Sequence, residues 1–128
     1  MPKSFFYLLG ILFILTTGSS EAGPASPISQ DELLKKSAEV TLLDVRSPAE
    51  FKAGHIEGAK HIEYTKLAQS LAELPDKSAP IVVYCRSGRR AATAIEVLHK
   101  SGYTNIYHLT GDMNGWLENK RPVVTPKN

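Results

Sequence analysis

The chain has 128 residues, with 15 lysines and arginines against 13 acids for a formal net charge of +2, and a single cysteine. That length suits one ordinary domain and is too short for two. The charge is spread along the chain, which excludes a nucleic-acid stripe or polybasic membrane patch, and one cysteine excludes a disulfide framework.

Met1-Pro2-Lys3 is a short positive start, Phe5 to Leu15 is almost wholly apolar, and Thr16 to Ala22 is small and polar with one acid. This is the layout of a secretory signal peptide over residues 1–22, cleaved after Ala22 or after Ser20. The apolar run is shorter than the roughly 18 to 20 residues that span a bilayer. Membrane attachment therefore follows only if the segment is retained as an anchor, and no cysteine follows the run to carry a lipid. Export implies secretion or, in a Gram-negative bacterium, the periplasm.

Gly23 to Pro27 reads as a flexible linker, residues 28–119 as the domain, and residues 120–128, with Pro122 and Pro126, as an irregular tail. Ser29 with Glu32 makes a capping box for a helix to about Lys36. Val40 to Val45 is apolar almost throughout, as in a strand covered on both faces. Ser47-Pro48-Ala49-Glu50 starts a second, short helix. Gly54 and Gly58 bracket a turn before a short strand at Ala59–Ile62. Leu67, Leu71 and Leu74 are spaced for one helix face, predicting a helix from Tyr64 to Leu74. A buried strand at Ile81–Tyr84 then runs through an arginine-rich loop into a helix from Ala91 to Lys100, with Gly102 as its cap. Asn105–Leu109 is a last strand, and Gly111 to Asn119 a loop or short helix. Alternating strands and helices of these lengths predict an α/β fold, a mainly parallel sheet with helices on both faces.

Ligands in such sheets bind beyond the carboxyl ends of the strands, which is where Cys85 and Asp44-Val45-Arg46 both fall. A lone cysteine after an apolar strand is ordinarily an inert core residue. Here Arg86, Arg89 and Arg90 follow within five residues, and arginines are costly to bury unpaired. Loop N–H groups and the positive end of a helix converge at the same point. Cations beside a thiol favour the reactive thiolate, so the pattern reads as an anion pocket around a nucleophile.

Asp44-Val45-Arg46-Ser47-Pro48-Ala49-Glu50-Phe51, Gly54-His55-Ile56 with Gly58-Ala59, Cys85-Arg86-Ser87-Gly88, Gly102-Tyr103, and Gly111-Asp112-Met113 with Trp116 together resemble the rhodanese family. The match runs in order from about Ile28 to Leu117. It is similar to small, exported, single-domain bacterial rhodaneses of phage-shock type. The resemblance implies a central five-stranded sheet and thiosulfate sulfurtransferase activity through a cysteine persulfide, without a cofactor. It implies Cys85 as nucleophile, Arg86, Ser87, Gly88, Arg89 and Arg90 as the substrate-binding loop, and Asp44, Arg46 and Glu50 as residues bracing it. One departure is Gly111-Asp112, where the family has paired glycines, so that a carboxylate on the rim loop becomes a candidate for repelling anionic donors.

Such chemistry suits the residues. Thiosulfate is a dianion, so the loop N–H groups and the side chains of Arg86 and Arg90 would offset its repulsion from a thiolate, and Gly88 permits a turn that aims N–H groups inward. Arg89 stands open between a solvated helix-start charge and a steering role. The partners implied are a small anionic sulfur donor, a thiol or cyanide acceptor, and alternatively a protein that accepts the sulfur. Asp44 and Arg46 read as bracing, His55 as a hydrogen-bonded structural histidine, and Trp116 as a packing residue. His61, His99 and His108 have no ligand-like spacing, so no metal is inferred. A cysteine phosphatase or arsenate reductase is the rival enzyme, but its loop places arginine one residue later, where this chain has Ala91.

Overall fold

The structure, a computed structural model, describes residues 23–127, so the expected signal segment lies outside the described residues. All four residues of the Ile81–Tyr84 strand are buried, which requires cover on both faces. That strand, β4, is the centre of a five-stranded sheet of order β1-β5-β4-β2-β3, with β1 at Ala25–Ile28, β2 at Thr41–Asp44, β3 at Lys60–His61 and β5 at Ile106–Leu109. Every pairing is parallel, as the fold reading expects. Successive side chains of a strand face opposite ways. Ile81 and Val83 accordingly pack with Ala91, Ala94 and Leu98 of helix α3 (Arg89–Lys100). Val82 and Tyr84 pack on the other face with Leu33 of α1 (Gln30–Lys36) and with Met113 and Trp116 of α4 (Asp112–Glu118). Cys85 continues the phase of Ile81 and Val83 and joins the α3-side cluster.

Local signals set the ends of these helices. The Ser29 hydroxyl accepts Glu32 N–H at 3.1 Å to start α1. Ser47 and Glu50 cap α2 (Pro48–Ala53) reciprocally, with proline in its first turn. At the end of α3, Gly102 at φ 94 lets its own N–H reach His99 and that of Tyr103 reach Leu98, at 3.1 and 3.0 Å, the paired closure of a left-handed helix cap. No helix among the described residues is long and apolar enough to cross a membrane.

Two expectations are corrected. Ala25–Ile28, within and beside the supposed linker, is an edge strand paired along its length with β5. An edge position tolerates Pro27, whose missing N–H is not needed by a second neighbour. The run from Tyr64 to Leu74 is two 3-10 segments, Tyr64–Gln69 and Leu71–Glu73, not one α-helix. Ser70 breaks it, its hydroxyl bonding back to the Lys66 carbonyl at 2.9 Å. The tail is tied to the domain at two points: Val124 bridges to His55, and the Trp116 indole N–H donates to the Pro122 carbonyl at 2.9 Å.

Candidate active site

The end of β4 and the start of α3 are joined by Cys85 to Gly88, and Gly88 makes the turn at φ 112. That conformation carries the Gly88 N–H to 3.0 Å from Cys85 Sγ. The next N–H groups, of Arg89 and Arg90, open helix α3 and have no carbonyl behind them within the helix. Cys85 itself is 1% exposed, whereas Arg86, Ser87 and Arg89 are exposed. Among the described residues, Arg86 and Arg89 belong to no salt bridge. A sulfur at the bottom, donors around it and free cations above make a receptor for a small anion.

Arg90 is placed differently from the expectation that its side chain is offered to substrate. Its Nη1 and Nη2 donate to the two oxygens of Glu50 at 2.6 and 3.0 Å, joining α3 to α2 across the site. Two of the five guanidinium N–H groups are thereby committed. The Arg90 hydrogen bond, reinforced by those from Ser47, holds the Glu50 carboxyl down at about 2 against the opposing effect of burial. Glu50 is thus tied to the loop through Arg90.

Asp44 and Arg46 form a second pair at the end of β2, next to β4. Arg46 Nη2 lies 2.7 Å from Asp44 Oδ2, Asp44 Oδ1 also accepts the Arg46 backbone N–H at 2.9 Å, and Nη2 reaches the Gly54 carbonyl at 2.7 Å. The pair is buried, at 0% and 4% exposure. Arg46 also lies over the ring of Tyr84, 5.7 Å from its centroid. Burial first, and the Asp44 charge after it, push the Tyr84 phenol well above its ordinary range, so it serves as a neutral acceptor for Ile56 N–H at 3.2 Å. His55 is held by the Phe51 carbonyl at 2.9 Å and stacked on the Phe51 ring.

Asp112 is not a rim residue. It is 3% exposed and lies beneath Cys85, where Oδ1 accepts the Cys85 N–H at 3.0 Å. The first turn of α4 holds the two peptides that follow: Met113 N–H reaches the Cys85 carbonyl at 2.9 Å and Asn114 N–H the Arg86 carbonyl at 3.0 Å. His108, set aside in the sequence for want of ligand spacing, is the second partner of Asp112, with Nε2 at 2.9 Å from Oδ1. The four-residue spacing of the two was visible, but it spans a strand and a helix start, where no periodicity implies contact.

The constellation therefore supports nucleophilic attack by sulfur on an anionic donor. Ala91, where a phosphatase loop would carry its arginine, is fully buried with 0% exposure, and no guanidinium closes the loop there. Among the described residues no group of three or more histidines, cysteines and acids converges as a metal set.

Comparison with known proteins accords with this geometry. The family model of the Rhodanese-like domain matches residues 29–119. The chain is 32% identical over 99 residues to a Sulfurtransferase of Allochromatium vinosum, covering 77% of this chain and 92% of that one. It is 32% identical over 91 residues to the Thiosulfate sulfurtransferase GlpE of Pseudomonas aeruginosa, covering 71% and 80%. Longer relatives exist, and the chain spans 29% of the Probable adenylyltransferase/sulfurtransferase MoeZ of Mycobacterium tuberculosis. Among solved structures, a rhodanese-related protein of Thermoplasma volcanium superposes with a TM-score of 0.71 at 30% identity, covering 79% of this chain and 99% of that one.

Proposed function

The chain belongs to the rhodanese-like family, and we propose that it moves a sulfane sulfur from thiosulfate, or a similar small anionic donor, to a thiol or cyanide through a persulfide on Cys85. Its relatives include proteins named as sulfurtransferases, which supports sulfur transfer as the class of reaction. The observation that carries the finer reading is Cys85 Sγ lying 3.0 Å from the Gly88 N–H at the head of α3, with Arg86 and Arg89 unpaired above it.

In the first step the Cys85 thiolate attacks the outer sulfur of thiosulfate. A sulfur–sulfur bond forms to Cys85 as the donor's own sulfur–sulfur bond breaks, and sulfite leaves with the electron pair. The loop N–H groups are in place before reaction and face the charge that builds on the transferred sulfur. Arg86 and Arg89 stand where the departing dianion must pass. In the second step cyanide or a thiolate attacks the terminal sulfur, and Cys85 recovers its thiolate. No cofactor enters this cycle.

Stoichiometric formation of sulfite and thiocyanate from thiosulfate and cyanide by the wild type, and none by Cys85→Ser, is the expected result. No sulfur uptake from thiosulfate would refute it. Uptake that no small acceptor discharges would instead make the protein a carrier for a protein thiol. The layout of residues 1–22 further supports export, which requires the mature protein to start near Gly23 and to fractionate outside the cytoplasm. Full-length protein recovered only from the cytoplasm would contradict export.

A further inference from the structure

Asp112 is a carboxylate held in a costly position. Its backbone lies at φ 52, a region that residues with a Cβ seldom adopt, and its side chain is 5% exposed. A buried charge persists only where partners compensate it. Every partner of this one belongs to, or adjoins, the nucleophile's loop. Oδ1 accepts the Cys85 N–H at 3.0 Å, and both oxygens lie near His108 Nε2, at 2.9 and 3.1 Å. A Cβ on Gly88, the residue that donates to the sulfur, would stand only 3.1 Å from Asp112 Oδ2. Because both carboxylate oxygens accept, Nε2 carries the ring's shared proton. The His108 side chain is 32% exposed and lines the open groove between β1 and α3.

We propose that Asp112 and His108 are a positioning dyad that holds the Cys85 peptide and sets the charge beneath the anion-binding loop, so that the loop discriminates more strongly against anionic donors once the imidazole is neutral. This rests on the sulfur-transfer reading of Cys85. With a protonated ring the dyad is neutral, and with a neutral ring it carries one negative charge. That charge is hydrogen-bonded to the Cys85 N–H itself, close enough to the sulfur for an effect on the order of tenfold. The other charged or titratable groups around the dyad are Cys85, Arg86 and Arg89 on the loop side, and Glu96, His99 and Lys100 on the α3 wall of the groove, where Glu96 and Lys100 pair at 3.0 Å.

The test compares alkylation of Cys85 by anionic iodoacetate and neutral iodoacetamide, from about pH 5 to about pH 9. Both reagents require the same thiolate, so the ratio of their rates reports local charge and not the amount of thiolate. The wild-type ratio should fall on the order of tenfold as pH rises. His108→Gln, which can still donate to Asp112, should hold the ratio low at every pH. Asp112→Asn removes the negative charge and should keep the ratio at or above the wild-type acid value at every pH, and Asp112→Gly, which suits φ 52, should do the same if asparagine disturbs the fold. His99→Gln should retain the wild-type profile. The KM for thiosulfate should follow the ratio inversely. A purely structural role would change both alkylation rates together and leave the ratio alone. A flat wild-type ratio, or His108 and Asp112 variants that shift it in the same direction, overturns the proposal. Failure of thiosulfate to load wild-type protein would strike the sulfur-transfer reading instead, since alkylation does not depend on it.

Discussion

Gly88→Ala adds one methyl group beside the nucleophile, and the structure lets its effect be worked out. Gly88 sits at φ 112, and a residue with a Cβ loses about 1–2 kcal/mol in left-handed backbone conformations. The new carbon would also lie 3.1 Å from Asp112 Oδ2 and 3.4 Å from His108 Cε1. Asp112 is fixed by its bonds to Cys85 and His108, so the loop must yield instead. Together these effects destabilise by about 2 kcal/mol, which in a domain of this size lowers Tm by about 10 °C. The loop moves by rotating the Gly88 N–H away from the sulfur, and loss of one oriented donor slows loading on the order of a hundredfold. Gly58→Ala is the matched control, because Gly58 lies at φ 85 with nothing within 4 Å of the added carbon. It should lower Tm by about 5 °C from backbone strain alone and leave loading untouched. Thermal melts and rapid-quench detection of sulfite would read both effects. A Gly88→Ala protein with wild-type Tm and loading, or a Gly58→Ala protein equally slow in loading, would refute the reasoning.

Arg90→Lys cannot keep both bonds to Glu50, so it should retain the fold while raising the KM for thiosulfate about tenfold; unchanged steady-state kinetics would contradict this. Glu50 has a folded pKa lowered to about 2, so its pair with Arg90 contributes stability above the ordinary carboxylate range and loses it as pH falls toward 2. Melts of wild type and Glu50→Gln should differ by under about 1 kcal/mol near neutrality, because the pair is partly exposed, and converge in acid. A gap that widens in acid would reverse the sign of the argument. Asp44→Ala leaves the buried Arg46 charge without its partner and should cost about 3–5 kcal/mol in urea unfolding. A loss below about 1 kcal/mol would show that the pair does not brace the strand end.

The parts of the fold legible in the sequence are those governed by neighbours in the chain. Ser29 and Ser47 announced their helices because a cap and its N–H are three residues apart. Ile81 to Tyr84 announced the central strand because all four are apolar. The segment at Tyr64 was misread because leucines three and four apart satisfy a 3-10 turn as well as an α-turn. β1 was hidden by Pro24 and Pro27, which rule out a central strand but not an edge. In the site, Cys85 and its arginines could be read from composition alone. Pairings between distant positions could not: Arg90 meets Glu50 across 40 residues, and Asp112 meets the Cys85 N–H across 27. Asp112 was expected at the rim because the resemblance places its loop there. Its burial follows from the turn at Gly111 and Asp112, both at positive φ, which swings the carboxylate under β4.

The central claim is that Cys85 carries the transferred sulfur, and intact mass tests it directly. Mature protein incubated with thiosulfate should gain the mass of one sulfur atom and lose it again to cyanide, while Cys85→Ser gains nothing. A wild type that takes up no sulfur, or a Cys85→Ser protein that takes up as much, would contradict the account.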